Sequence, residues 1–155
     1  MMKRLFAGLY ALALISLISL QLPVQAQTAE RSVGPFSYDA SKEATLNGTV
    51  LSVLAKPSPG MIMGSHLLLA TLSGPVDASL GRFGLQGKGA LSVAPGQQVE
   101  VTGVMKTLKD KQVFLARSVK VGDQVYTMRN EHGIPVSPQS RERAKGKTAQ
   151  FGGSL

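Results

Sequence analysis

The sequence contains no cysteine and no tryptophan, and only two histidines, in 155 residues. Without cysteine there is no disulfide staple and no lipid-modified N-terminal cysteine, so any core must hold by packing alone. Aromatic residues make up 5% of the chain, which leaves few rings for stacking on nucleic-acid bases. His66 and His132 are the whole imidazole supply. No HExxH helix, nucleophile elbow or glycine-rich phosphate loop occurs. Neither an enzyme nor a resident cofactor is expected. Acid is scarce too, with nine Asp and Glu against 17 Lys and Arg, a net charge of +8.

The chain does carry an export signature. Lys3 and Arg4 precede an apolar run over residues 5–20, and QLPVQA follows with Val24 and Ala26 at the positions a signal peptidase reads. Gly8, Ser16, Ser19 and Pro23 weaken this stretch as a spanning helix. Residues 1–26 are therefore expected to be a signal peptide, and the product periplasmic or secreted. The remaining 129 residues are enough for one domain with its own core. They carry 15 basic and nine acidic side chains, and RERAKGK at 141–147 holds half of the +6 excess.

Residues 27–42 show no sustained period and read as a leader, with Phe36 or Tyr38 available to tuck against the domain. From residue 44 the pattern alternates with period two, the mark of half-buried strands. ATLNGTVLSVL sets Leu46, Gly48 and Val50 on one side, and Gly48 marks a bend. HLLLATL, PVDASLG, QQVEVTGVMKTL, QVFLARSVKV and QVYTMRN continue the series. Breaks fall at Pro57 to Gly64, Ser73-Gly74, Pro95-Gly96, Lys109 to Lys111 and Gly122-Asp123. The expected core includes Leu46, Val50, Leu68, Val99, Val101, Val113 and Leu115. Past Pro138 the chain is basic and poor in large apolar residues, so residues 137–155 are expected to be a disordered basic tail. These pieces predict an all-β fold, a small antiparallel barrel of five to six strands over residues 43–136.

The order of the pieces resembles an OB-fold. A long bent first strand, a hairpin, a connecting segment and a last hairpin opened by PGQQVEVTG are similar to small exported bacterial OB-fold domains. The ending VGDQVYTMRNEHGIP resembles uncharacterised exported bacterial proteins that finish in an Arg-Asp/Asn-x-x-Gly-x-Pro motif. The helix that usually joins strands three and four is replaced here by a glycine-rich segment. The resemblance implies a binding rim formed by KPSPGMIMGSH and MKTLKDKQ. Lys56, Lys106, Lys109 and Lys111 are then the candidate ligand-binding residues.

GMIMGSH within that rim places Met61, Met63 and His66 inside six residues. Thioethers and imidazole together suit Cu(I), and periplasmic copper-chaperone OB barrels are similar in ligand type. Those barrels pair their ligands with a tryptophan, which this chain lacks. The preferred reading is a flexible loop whose methionines cover the barrel end, with a copper site as the alternative. Single-stranded nucleic acid is a second alternative, disfavoured because HLLLATL and PVDASLG carry no aromatic ring. Asn130, Glu131 and His132 read as a polar turn, Asp77 and Glu100 as solvated strand residues, and Arg129 as the partner of an acidic neighbour across the sheet. What remains is an exported non-catalytic binding module whose partner is an envelope protein or a polyanionic glycan or lipid surface. Mass spectrometry of the exported protein should show a chain beginning at Gln27; a full-length species held in membranes would overturn the signal peptide.

Overall fold

A computed structural model describes residues 37–151, with side chains to residue 144. The expected signal peptide (residues 1–26) and most of the expected leader (27–42) lie outside the described residues. The strands are β1 (Ala44–Leu54), β2 (Ser65–Thr71), β3 (Gly74–Gly81), β4 (Gln98–Leu108), β5 (Lys111–Val121) and β6 (Gln124–Thr127), followed by helix α1 (Pro138–Phe151). Among the described residues no helix is long and apolar enough to cross a membrane.

The sheet runs β3-β2-β1-β4-β5-β6, and β3 also pairs with β5, so the first five strands close on themselves. The closing pair, Ala78 with Phe114 and Ser79 with Leu115, is parallel. The small all-β barrel is thus as expected in class but mixed rather than wholly antiparallel. Closure removes the bare edges that a five-stranded sheet would otherwise expose.

Strand β1 makes closure possible by serving two neighbours. Its first half pairs with β4, from Ala44 opposite Gly103 to Thr49 opposite Gln98. Its second half pairs with β2, from Gly48 opposite Thr71 to Leu54 opposite His66, with a bulge between Val50 and Ser52. Gly48 stands at the hand-over, where a Cβ would lie 2.9 Å from the Ala70 carbonyl oxygen. Gly103 sits at the β4–β5 register shift. A Cβ there would come within 2.2 Å of the Leu115 carbonyl oxygen. Both glycines hold bends by allowing close backbone approach, as the alternation predicted.

Val50, Leu67, Leu69, Val99, Val101, Phe114, Ala116 and Val119 fill the barrel, with Leu80, Leu91 and Met128 at its ends and Leu46 packed against it. Two facings differ from expectation. On β2 the inward pair is Leu67 and Leu69 while Leu68 is only half-buried, since three consecutive leucines leave the phase of the alternation unmarked. On β5, Val113 and Leu115 are buried, yet the central cluster takes Phe114 and Ala116. That strand is covered on both faces, so alternation could not tell which side was the core. No helix forms over residues 82–97. Leu91 plugs the barrel instead, its N–H donating to the Gly84 carbonyl (2.9 Å).

The tail expectation is also corrected at its start. Residues 138–151 form α1, opened by Pro138 at the first helical position and by Ser137, whose Oγ accepts the Ser140 N–H (3.2 Å). Buried Arg141 ties the first turn down by donating to the carbonyls of Phe83 (2.8 Å) and Gln86 (3.4 Å). Hydrophobic patterning could not reveal a helix anchored by an arginine.

Replacing Gly103 with Ala should cost about 1–3 kcal/mol, since the obstacle is backbone and cannot rotate away. Thermal melts should show the loss. A Gly103→Ala protein that melts with the parent would remove the close-approach account.

Candidate functional site

At one end of the barrel four segments surround an open groove of about 1170 Å³. They are the β1–β2 loop (55–64), the end of β3 with residues 82–86, the tip of the β4–β5 hairpin (107–109), and the turn at 129–135. The walls are largely apolar, with Ile62, Met63, Phe83, Leu108, Leu115 and Ile134 among them. Among the described residues four cations line the groove, Lys56, Arg82, Lys109 and Arg129, and no Asp or Glu does.

The rim loops owe their shape to unusual backbone. Lys109 (φ 48°) and Asp110 (φ 65°) both occupy the left-handed region, as a two-residue hairpin turn of the primed type requires. Neither is glycine, so the tip carries strain of order 1 kcal/mol or more per residue, held by the long strands on either side. In the β1–β2 loop, Gly60 (φ 83°) clears space for the Lys111 amine; a Cβ there would meet Nζ at 2.7 Å. The Lys111 amine thus lies against the β1–β2 loop.

Beneath the groove lies a buried polar cluster. Ser65 Oγ donates to the Gly81 carbonyl (3.0 Å). His66 Nδ1 lies 2.6 Å from Asp77 Oδ1, and its Nε2 lies 2.9 Å from the Ile62 carbonyl oxygen. A carboxylate and a carbonyl are both acceptors, so only an imidazolium with two N–H groups satisfies both contacts. Burial pulls the ring's pKa down and the nearby Arg129 adds to that pull. The hydrogen bonds to Asp77 and Ile62, with the Asp77 charge, outweigh them and raise it above the ordinary histidine value.

Arg129 is 95% buried, counting from its 5% exposure. Its Nη1 donates to the carbonyls of Ser79 (2.6 Å) and Ala116 (2.8 Å), and its Nη2 to Ser79 Oγ (3.0 Å). Ser79 is on β3 and Ala116 on β5, so the guanidinium bridges the seam where the barrel closes. Burial pulls its pKa down to about 10. The expected acidic partner is absent from these contacts.

The turn after Arg129 is built to deliver it. Asn130 Oδ1 accepts the N–H groups of His132 and Ile134, both at 3.0 Å. Gly133 (φ 77°) lies under Tyr38, where a Cβ would come within 2.3 Å of the tyrosine Cβ. Pro135 packs over Gly81 and bridges back to Arg129. Tyr38 is fixed in turn by donating to Glu43 Oε1 (2.6 Å), and Glu43 pairs with Arg117, whose Nη2 donates to Oε2 (2.8 Å). The tyrosine pKa is raised by burial and by Glu43, and that of Glu43 is lowered mainly by the hydrogen bond from Arg117. The motif at 129–135 is thus one arginine and the scaffold that aims it. The Asn130, Glu131 and His132 group is a polar turn, as read from sequence.

The residues singled out beforehand separate into groups. Lys56 and Lys109 line the groove, Lys111 lies beside Gly60 of the rim loop, and Lys106, on β4, is not among the lining residues. Met61 and Met63 are lining residues, with Met63 82% exposed. Met61 Sδ accepts the Ser58 N–H at 3.4 Å. His66 is not on the loop surface; both its nitrogens are engaged beneath the groove, so the structure does not gather the three as a ligand set. Among the described residues no group of three or more His, Asp or Glu side chains is placed to hold a metal ion. Asp77, read as solvated, is the partner of His66. Glu100 is exposed as expected. Sequence reasoning missed the groove's central cation, although the Arg-Asn-x-x-Gly-x-Pro motif pointed to that turn.

Protonated His66 contributes stability that is fully present below its ordinary pKa of about 6.5. That contribution is lost as pH rises through the higher folded value. Melting temperature should therefore fall with rising pH across this window, and Asp77→Asn should flatten the dependence. Parallel pH profiles for parent and variant would contradict an imidazolium at this position.

Residues 42–126 match the sequence model of the MamS/MamX magnetosome protein family. No curated protein matches the chain.

Proposed function

The chain belongs to the MamS/MamX magnetosome protein family, matched over more than half its length, and on that premise we propose that it is an exported, non-catalytic binding module. Its place is the envelope or the magnetosome, and its working surface is the barrel-end groove. The observation that carries this reading is the groove's make-up: apolar walls, four cations and no acid. Such a lining favours a partner that is anionic and partly apolar, which among envelope components means an anionic lipid surface or an acidic, apolar protein segment. A neutral glycan would find little to bond with on these walls. A nucleic-acid strand would find Phe83 as the one ring in the groove.

The rim supports the same reading. Met63 and Ile134 stand largely exposed beside Lys56 and Lys109, so apolar contact and charge are offered together. Methionine adapts to varied apolar surfaces because its side chain is unbranched and flexible. Tail residues 141–147 add basic charge elsewhere on the chain, attracting anionic surfaces over roughly 8–10 Å at ordinary salt.

Co-sedimentation with phosphatidylglycerol vesicles tests the proposal, with phosphatidylcholine vesicles as the neutral comparison. The protein should pellet with the anionic vesicles at low salt and be released at high salt. Lys56→Glu with Lys109→Glu should abolish pelleting without altering the melt, as both side chains are exposed. Truncation after Pro138 should weaken it only partly. Unchanged pelleting of the double variant would move the site away from the groove.

A further inference from the structure

A cation as deeply buried as Arg129 ordinarily faces a carboxylate, because an uncompensated charge out of water costs several kcal/mol. Here its three recorded hydrogen bonds go to two carbonyls and one hydroxyl, all neutral. A guanidinium has five N–H donors, so two remain. One acid stands in the surrounding cluster, Asp77, and it is taken by His66, itself an imidazolium by the geometry of its two acceptors. Two buried cations against one carboxylate leave a single positive charge. It sits at the groove, since Arg129 is among the lining residues.

We infer that the groove holds an apolar-tailed carboxylate, a fatty-acid-like amphiphile, whose head supplies the counter-charge that Arg129 lacks. This rests on the reading of the groove as the binding surface and names its occupant. The surplus is one charge, which suits a monoanion; a phosphate monoester would bring nearly two. The planar fork of arginine fits a carboxylate edge, and the low-dielectric surroundings strengthen that pairing over an exposed lysine's. Ile62, Phe83, Leu108, Leu115 and Ile134 supply an apolar path from Arg129. The groove's volume of about 1170 Å³ is at or above the upper end of ordinary small-molecule pockets, roughly 300–1,000 Å³, and so admits a chain. At Gly81 a Cβ would stand 3.3 Å from Arg129 Nη2 and 3.2 Å from Pro135 Cγ, so any side chain there would crowd the guanidinium. Lys56, Arg82 and Lys109 then form an outer ring that draws the anion in.

The test uses the full mature chain and carboxyl-labelled dodecanoate below its micelle concentration, with dodecanol, acetate and inorganic phosphate as comparisons. Dodecanoate should bind one per chain, with its carboxyl resonance shifted and its titration moved to lower pH. Dodecanol should bind at least tenfold more weakly, and acetate and phosphate not measurably. Arg129→Met should remove the head-group preference. Because that change also opens the barrel seam and can unfold the protein, Leu108→Asp serves as the second variant, blocking the tail while leaving Arg129 in place. Equal binding of dodecanoate and dodecanol would overturn the role of Arg129. Binding of phosphate at similar strength would reduce the site to a plain anion site and overturn the amphiphile. An apolar peptide with a free C-terminal carboxylate that binds more tightly than dodecanoate would reassign the groove to protein chain ends and equally overturn it. If dodecanoate fails while groove-dependent vesicle binding persists, this inference falls and the binding-module reading stands.

Discussion

The fold depends on a short seam. Four of the five barrel junctions are long antiparallel ladders, whereas β3 and β5 meet through two residue pairs only. The ladder ends at Ser79 and Leu115. Arg129 bridges the strands there, taking the Ser79 carbonyl from one side and the Ala116 carbonyl from the other. An arginine suits this position because its fork reaches two acceptors at once and its charge strengthens each bond. The cost is a cation buried next to apolar strands, and the protein accepts it where the barrel opens into a groove.

That choice links stability to recognition. The same side chain that closes the barrel lines the groove at its mouth, so the site is as rigid as the seam itself. Around it the protein arranges charge by depth. The imidazolium of His66 is neutralised by Asp77 below, Arg129 lacks a counter-charge at the groove, and Lys56 and Lys109 stand in water at the rim. The exposed lysines attract weakly and from a distance, while the buried arginine binds at short range. A strained hairpin tip and a glycine-bearing loop hold the rim open above them, and the Tyr38, Glu43 and Arg117 group holds the Gly133 turn from outside.

The match to the MamS/MamX magnetosome family falls on the barrel. The matched residues 42–126 cover five strands and part of the sixth. They stop short of Arg129 and its supporting turn.

Local patterning was enough to determine the strands, the bends and the all-β class. Alternation, paired turn residues and mid-strand glycines are short-range signals, and Gly48, Gly103 and Gly122-Asp123 each fulfil the role their neighbours implied. Lys56 and Lys109 were legible as rim residues because turn positions are exposed wherever the strands go. What depended on register was not legible. On β2 Leu67 and Leu69 face inward in place of Leu68, and His66 is buried in a pair with Asp77 rather than exposed on a metal loop. Arg129 looked like one half of a surface ion pair because sequence cannot show that its nearest acceptors, 50 and 13 residues away, are carbonyl groups. Short-range chemistry determined which segments would be strands. Only closure of the barrel, which brings distant backbone together, decided where the charge would be buried and what it would face.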